Sequence, residues 1–204
     1  MRMRKKPNLI PRMERCADWL ITEPESLRGR WREAYPDYRE LRLELGCGKG
    51  RFTVEQAARE PEILLLALEK VPDAMVVAME RAAERQLANV RFLDEDAERL
   101  GEFFAPGEIG RIYINFSDPW PKKKQFKRRL TAPSFLEKYA ALLPAGGEVW
   151  FKTDNGPLFD WSLESFAAAG WTLREMPAGT PMTDYEARFT EQGMEIHRIV
   201  GVRP

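Results

Sequence analysis

The sequence predicts an α/β domain built on a mostly parallel, seven-stranded sheet, and three observations carry that expectation. Short apolar runs of strand length alternate with stretches of helix length from Leu41 onward. A glycine-rich turn, Gly46-Cys47-Gly48-Lys49-Gly50, joins the first strand to the first helix. The last two strand-like runs, Trp171 to Arg174 and Ile196 to Val202, have no helix-length pattern between them. Such alternation builds βαβ units whose parallel sheet is covered on both faces. The final pair predicts an antiparallel hairpin at one sheet edge.

The elements follow in order. Leu43-Glu44-Leu45 reads as a strand, with a helix after Gly50; Ile63 to Leu68 is the second strand, followed by a helix from Pro72 to Gln86. Val90 to Leu93, a short helix near Ala97 to Phe104, a strand from Ile109 to Asn115 and a helix from Pro133 to Leu142 continue the pattern. Glu148 to Lys152 and a helix from Pro157 to Ala169 precede the closing strands.

Upstream, residues 1–38 carry a basic head (Arg2, Arg4, Lys5, Lys6, Arg12, Arg15) and then a stretch rich in Arg, Trp and Pro without clear periodicity. This is expected to be a partly mobile N-terminal extension, with residues 39–204 forming the domain. The arm reads equally as a phosphate-contacting segment and as a plain tail. A chain of 204 residues with 44% hydrophobic and 31% charged residues has the composition of an ordinary folded protein. Its longest apolar run, Ile63 to Leu68, is too short to span a bilayer, and no secretory signal follows the basic head, so a cytoplasmic location is expected. Two cysteines, Cys16 and Cys47, and one histidine, His197, predict neither a disulfide framework nor a metal site.

Glycines in the first turn permit a tight bend and let a ligand approach the backbone closely. Glu69 ends the second strand, where a carboxylate can accept hydrogen bonds from both hydroxyls of a ribose. Asp94, Glu95 and Asp96 follow the third strand, placed either to receive an adenine amino group or to cap a helix. The last glycine comes too soon for a dinucleotide turn, and Glu44 before it would repel a pyrophosphate. A cationic sulfonium ligand such as S-adenosylmethionine suits Glu44 better, unless Glu44 is simply a solvated strand residue.

After the fourth strand comes Ser117-Asp118-Pro119-Trp120-Pro121, then Lys122, Lys123, Lys124, Gln125, Phe126, Lys127, Arg128 and Arg129. With a formal net charge of +0 overall, so many cations in one loop are a local device aimed at a polyanion. Were all six to meet phosphates, the logarithm of affinity would fall against that of salt with a slope of roughly −4. A solvated charged loop, a turn aspartate at Asp118 and a core anchor at Trp120 are the plainer alternatives; the adjacency of the run to Asp118, and of Asp118 to Trp120, favours function for the loop and for Asp118.

Taken together, Leu43 to Gly50, Asn115 to Leu130, Phe151-Lys152-Thr153-Asp154-Asn155 and Thr183-Asp184-Tyr185-Glu186 resemble the tRNA (guanine-N7-)-methyltransferase family of bacterial, single-chain type. The resemblance spans nearly the whole chain; the Asn115 to Leu130 segment is its most specific part. It departs from the family's usual pattern at Ser117, where proline is common, and at Lys124-Gln125-Phe126, where arginine and histidines are. It implies a Rossmann-like class I S-adenosylmethionine-dependent methyltransferase fold, with S-adenosylmethionine held at Glu44, Gly46, Gly48, Gly50, Glu69, Asp96 and Asp118. It further implies catalysis by Asp118, substrate contacts at Lys122, Asp154, Thr183, Asp184, Tyr185 and Glu186, and RNA contacts at Lys124, Gln125, Phe126, Lys127, Arg128 and Arg129. The implied reaction methylates N7 of a guanosine in the tRNA variable region, without a metal or an obligate protein partner, in a monomer or homodimer.

That chemistry asks little of a base. Guanine N7 is already a nucleophile with no proton to lose, so the protein must supply position and a negative field as the base gains positive charge. Trp120 offers a stacking face, and Asp154 and Glu186 are candidates for the guanine amine and ring N–H, each with an N-cap as its alternative. The rivals are another enzyme on the same scaffold acting on a small amine or a protein, which would not need the lysine run, and an RNA-binding module whose glycine turn holds no cofactor.

Overall fold

Every residue of Ile63–Leu68 is apolar and every one is buried, the signature of a strand covered on both faces. Its side chains divide by parity: Leu64, Leu66 and Leu68 join one core, Leu65 and Ala67 the other. The computed structural model describes residues 6–190 and 192–204. In it this strand (β2) lies beside β1 (Glu40–Leu45) and β3 (Val90–Leu93), with β4 (Arg111–Asn115) and β5 (Glu148–Thr153) on the other side of β1, all parallel. Beyond β5 come β7 (His197–Val202), antiparallel to it, and β6 (Thr172–Arg174) at the edge, giving the order β3-β2-β1-β4-β5-β7-β6. The chain reverses its direction of travel across the sheet between β1 and β4. At such a switch point the loops leaving the two carboxyl ends diverge and open a crevice.

One face is covered by α5 (Leu100–Phe103), α6 (Pro133–Leu142) and α7 (Gly156–Ala168), whose Leu100, Phe135, Leu136, Tyr139 and Phe166 pack with Leu43, Ile112 and Ile114. The other is covered by α3 (Arg51–Arg59) and α4 (Pro72–Glu84), bringing Phe52, Val54, Met75 and Met79 onto Leu65, Phe92 and Tyr113. Gly50 precedes α3 with φ 77°, and a Cβ there would lie 2.7 Å from Ala78 Cα, so glycine is what lets α3 and α4 meet.

Several expected bounds shift for local reasons. The helix expected to reach Gln86 stops at Glu84, because Gln86 turns into the left-handed region (φ 53°). The strand expected from Ile109 begins at Arg111: the Ile109 amide donates to Leu142 O, outside the ladder. The helix expected over 97–104 divides into a 3-10 turn, Ala97–Arg99, and α5. The antiparallel last pair is present, but residues 175–196 between the two strands make an excursion that contains a helix, α8 (Asp184–Thr190), instead of a hairpin turn.

Residues 6–38, expected to be a partly mobile extension, are packed against the domain. Trp31, in the short helix α2 (Trp31–Ala34), is fully buried, donates from Nε1 to Phe103 O at 2.9 Å and packs on Phe104. Helix α1 (Leu9–Arg15) lies on α4, where the Arg12 guanidinium grips Glu80 with bonds of 2.7 and 2.6 Å, and Trp19 Nε1 donates to Leu87 O. Packing therefore shows no break at residue 38. Arg2, Arg4 and Lys5 lie outside the described residues.

Candidate active site

A cleft of about 340 Å³ opens at the carboxyl ends of the central strands. Each strand delivers its last residues to it: Leu45 and Gly46 from β1, Leu68 and Glu69 from β2, Asp96 after β3, and Asn115 through Asp118 after β4. Gly46 (φ 77°) and Gly48 (φ 58°) take the left-handed turn, and a Cβ on either would meet nothing within 4 Å. Their missing side chains thus leave open space beside the turn, and Gly46 lines the cleft, unlike Gly50, whose space is filled by Ala78.

Glu69 is clamped to this turn. One of its oxygens accepts from Gly48 N at 2.9 Å and the other from Val71 N at 3.0 Å. Burial nonetheless pushes its carboxyl above the usual range, against those amide donors. Asp96 also lines the cleft, while its Oδ1 accepts from Glu98 N at 3.0 Å, so capping and cleft lining coexist in one residue. Asp94 stays exposed, and Glu95 turns to Arg99.

Glu44 sits beneath the turn rather than on the cleft wall, 1% exposed, with Thr53 Oγ1 donating to it at 2.6 Å and Asn115 Nδ2 at 3.2 Å. It is therefore no solvated strand residue. Burial raises its carboxyl to about 7, with the two donors and the Lys152 ammonium opposing.

Beyond Asn115 the backbone is strained on both sides of Asp118. Phe116 (φ 54°) and Trp120 (φ 42°) are bulky residues in the left-handed region, a conformation that persists only where surroundings enforce it. Between them Asp118 is exposed at the cleft mouth. It does not cap the following 3-10 turn (Lys123–Arg128), whose N-cap position is Lys122. Lys122, Lys123, Lys124, Lys127 and Arg128 are exposed along the lip, with Arg128 lying 4.2 Å over the Trp120 ring.

Three members of that run differ from expectation. Arg129 is 4% exposed and turned inward, so five cations and not six face outward. Phe126 packs edge-on against Trp161, and Gln125 is half-buried beside it. Trp161 in α7 packs on Phe126 and Arg129, and two backbone carbonyls accept from Arg129.

The segment implied for the substrate folds as the start of α8, capped by its own Thr183 and docked through the next three residues. Thr183 Oγ1 accepts from Glu186 N, capping the helix. Asp184 takes both ends of the Arg81 guanidinium at 2.6 and 3.1 Å, and Arg81 also reaches Lys49 O in the glycine turn. Tyr185 is 40% exposed, lies tilted at 44° with its ring 5.1 Å from that of Phe116, and donates to Asp154 at 2.7 Å, a bond that raises its phenol to about 12. Glu186 is buried, accepting from Lys152 Nζ at 3.2 Å and from Arg198 at 2.7 Å. Hence Asp154, Tyr185 and Phe116 adjoin the Asp118 turn, whereas Asp184 and Glu186 are engaged within the protein.

Sequence reasoning missed Phe116, Asn115 and Lys152 as members of this arrangement. For Lys152 the signal was available: a lysine in a strand buried on both sides needs a carboxylate, and here desolvation lowers its ammonium while Glu186 opposes. Among the described residues no three His, Cys, Asp or Glu side chains converge as a metal site requires. None of the described helices is long and apolar enough to cross a membrane.

The chain is similar to known proteins in sequence and in fold. A family described as "Putative methyltransferase" matches residues 38–199. The tRNA (guanine-N(7)-)-methyltransferase of Geobacillus thermodenitrificans is 41% identical, covering 100% of this chain and 98% of its own. That of Bacillus cytotoxicus is 40% identical over 98% and 95%. Among solved structures, the 16S rRNA methyltransferase KamB superposes with a TM-score of 0.65 at 20% identity, covering 86% of this chain and 93% of its own. A 16S rRNA (adenine(1408)-N(1))-methyltransferase mutant from Catenulisporales acidiphilia, solved with cosubstrate SAM, gives 0.62 at 15% identity over 90% and 92%. Those two likenesses concern the fold: a methyltransferase α/β sheet. Full-length identity and the site's construction together place the chain in the tRNA (guanine-N(7)-)-methyltransferase family.

Proposed function

We propose that this protein methylates N7 of a guanosine in the variable region of tRNA, using S-adenosylmethionine. The observation that carries the reading is the position of Asp118: an exposed carboxylate at the point where an acid-lined cleft meets a row of outward-facing lysines. The cleft fits the cofactor on its own terms. Gly46 and Gly48 leave open space beside the turn, Glu69 and Asp96 present acids at successive strand ends, and Glu44 adds a buried acid below. Such a pocket attracts a cationic ligand and repels a pyrophosphate. Bound there, S-adenosylmethionine supplies a methyl group on a cationic sulfur, open to direct displacement by the guanine N7 lone pair.

The chain's own residues do the rest. Lys122, Lys123, Lys124, Lys127 and Arg128 hold RNA phosphates at the lip without reading sequence. Because Arg128 covers one face of Trp120, the Phe116–Tyr185 pair, with Tyr185 fixed by Asp154, is the better-placed surface for an unstacked base. Asp118 then accepts hydrogen bonds from the guanine edge or faces its developing positive charge, holding N7 in line. tRNA is the macromolecular partner and the cytoplasm the location this reading requires; it needs no obligate protein partner.

Replacing Asp118 with alanine tests it. Turnover on unmodified tRNA should fall by about a hundredfold or more, the scale of losing one electrostatic contact to a transition state, while tRNA affinity stays within about twofold because phosphates supply most of it. Full turnover in Asp118→Ala would remove Asp118 from the chemistry.

A further inference from the structure

We infer that Arg129, although it closes the cationic run, is a positioning residue that clamps the Asp118 turn and makes no phosphate contact. The inference rests on the catalytic reading of Asp118 given above. Arg129 is 4% exposed, whereas the five cations before it face solvent. Its Nε donates to Pro119 O at 2.9 Å and its Nη2 to Trp120 O at 3.4 Å, the second at the long end of a hydrogen bond. The guanidinium carbon lies 3.6 Å from the Phe126 ring centre and 4.5 Å from that of Trp161 in α7. Nη1 is buried with no partner, and no carboxylate pairs with Arg129 among the described residues. Burial lowers its affinity for a proton.

The two carbonyls it grips belong to the residues directly after Asp118, and one of them, Trp120, holds a left-handed backbone. A bulky residue in that conformation needs outside enforcement. The line of support runs from α7 through Trp161 to the guanidinium, and from its fork to the peptides that aim Asp118. Arginine suits this place, because its planar fork reaches both carbonyls while its guanidinium lies against the Phe126 and Trp161 rings; a lysine keeps the charge and loses the fork.

Charge and shape can therefore be separated by experiment. Arg129→Lys and Arg129→Gln should each lower kcat by on the order of ten- to hundredfold, as small misplacements of a reacting group do, with the KM for tRNA and tRNA affinity within about twofold of the parent's. The salt slope of tRNA binding should be unchanged in Arg129→Gln, whereas Lys127→Gln should flatten it by about 0.7. The double variant Arg129→Lys with Asp118→Asn should be no slower than Asp118→Asn alone. The inference is overturned if Arg129→Gln flattens the slope as Lys127→Gln does, or if Arg129→Lys retains parental kcat. Should Arg129→Gln fail to fold, Trp161→Leu removes one wall of the clamp without touching charge, and a parental kcat there overturns the inference equally. Asp118→Asn in parallel keeps the two ideas distinct: its full activity would sink the catalytic reading, while its loss alongside fully active Arg129 variants would sink only the clamp.

Discussion

Glu44 shows how one side chain ties stability to ligand. Burial raises its carboxyl from an ordinary value near 4.5 to about 7, despite bonds from Thr53 and Asn115. Between those values the folded protein keeps a proton that the unfolded chain has released, so stability falls as pH climbs through the window, and the full cost stands above about 7. Glu44→Gln should therefore raise the stability of the ligand-free protein at pH 8 by on the order of 1–3 kcal/mol, with the gain vanishing near pH 4, as followed by thermal unfolding across pH. A gain independent of pH would contradict this. The same change should weaken S-adenosylmethionine binding, because the charge that costs stability in the free protein is the one that favours a cation. Asp118 and Arg129 contrast in the same way: the carboxylate is exposed at the cleft mouth, and the buried guanidinium holds the carbonyls of Pro119 and Trp120.

At the level of elements, α8 depends on its docking. It is short, and Lys152 and Glu186 are buried together under it, with Arg198 as the third member. Removing one partner leaves the other charge stranded in a poor solvent, so Glu186→Ala should cost about 3–5 kcal/mol in urea unfolding. It should also speed amide exchange over residues 181–190 more than in β1 or β2. Uniform exchange rates would show that α8 does not rely on the pair. This dependence explains why α8 was not legible in the sequence, where residues 175–196 carry no helical periodicity of their own. Its signals are the partners Arg81, Phe116, Asp154 and Lys152, all remote along the chain. The packing of residues 6–38 was not legible for the same reason, since Trp31 is anchored by Phe103 and Phe104, remote along the chain. By contrast β2, β3 and α6 fall at their expected bounds, because each is an apolar run or helical pattern bounded by local breakers. Glu69, Asp96 and Asp118 were legible from their places at strand ends, which topology turns toward one crevice. Arg128 and Arg129 could not be told apart, being identical residues in adjacent positions whose difference is only which way the backbone points them.

At the scale of the molecule, the formal net charge of +0 hides a division of labour. Acids converge under and around the cleft, while cations gather on the lip after β4, so a cationic cofactor and a polyanionic substrate are attracted to adjoining places by opposite fields. The switch in strand order between β1 and β4 opens the cleft beside the lip, with Asp118 between them. The most direct test is to incubate the purified protein with S-adenosylmethionine and an unmodified tRNA transcript, and to map N7-methylguanosine by chain cleavage at the modified base. The account predicts methylation at a guanosine of the variable region, dependent on Asp118. A transcript that is bound by the protein yet carries no N7-methylguanosine at any position would contradict it.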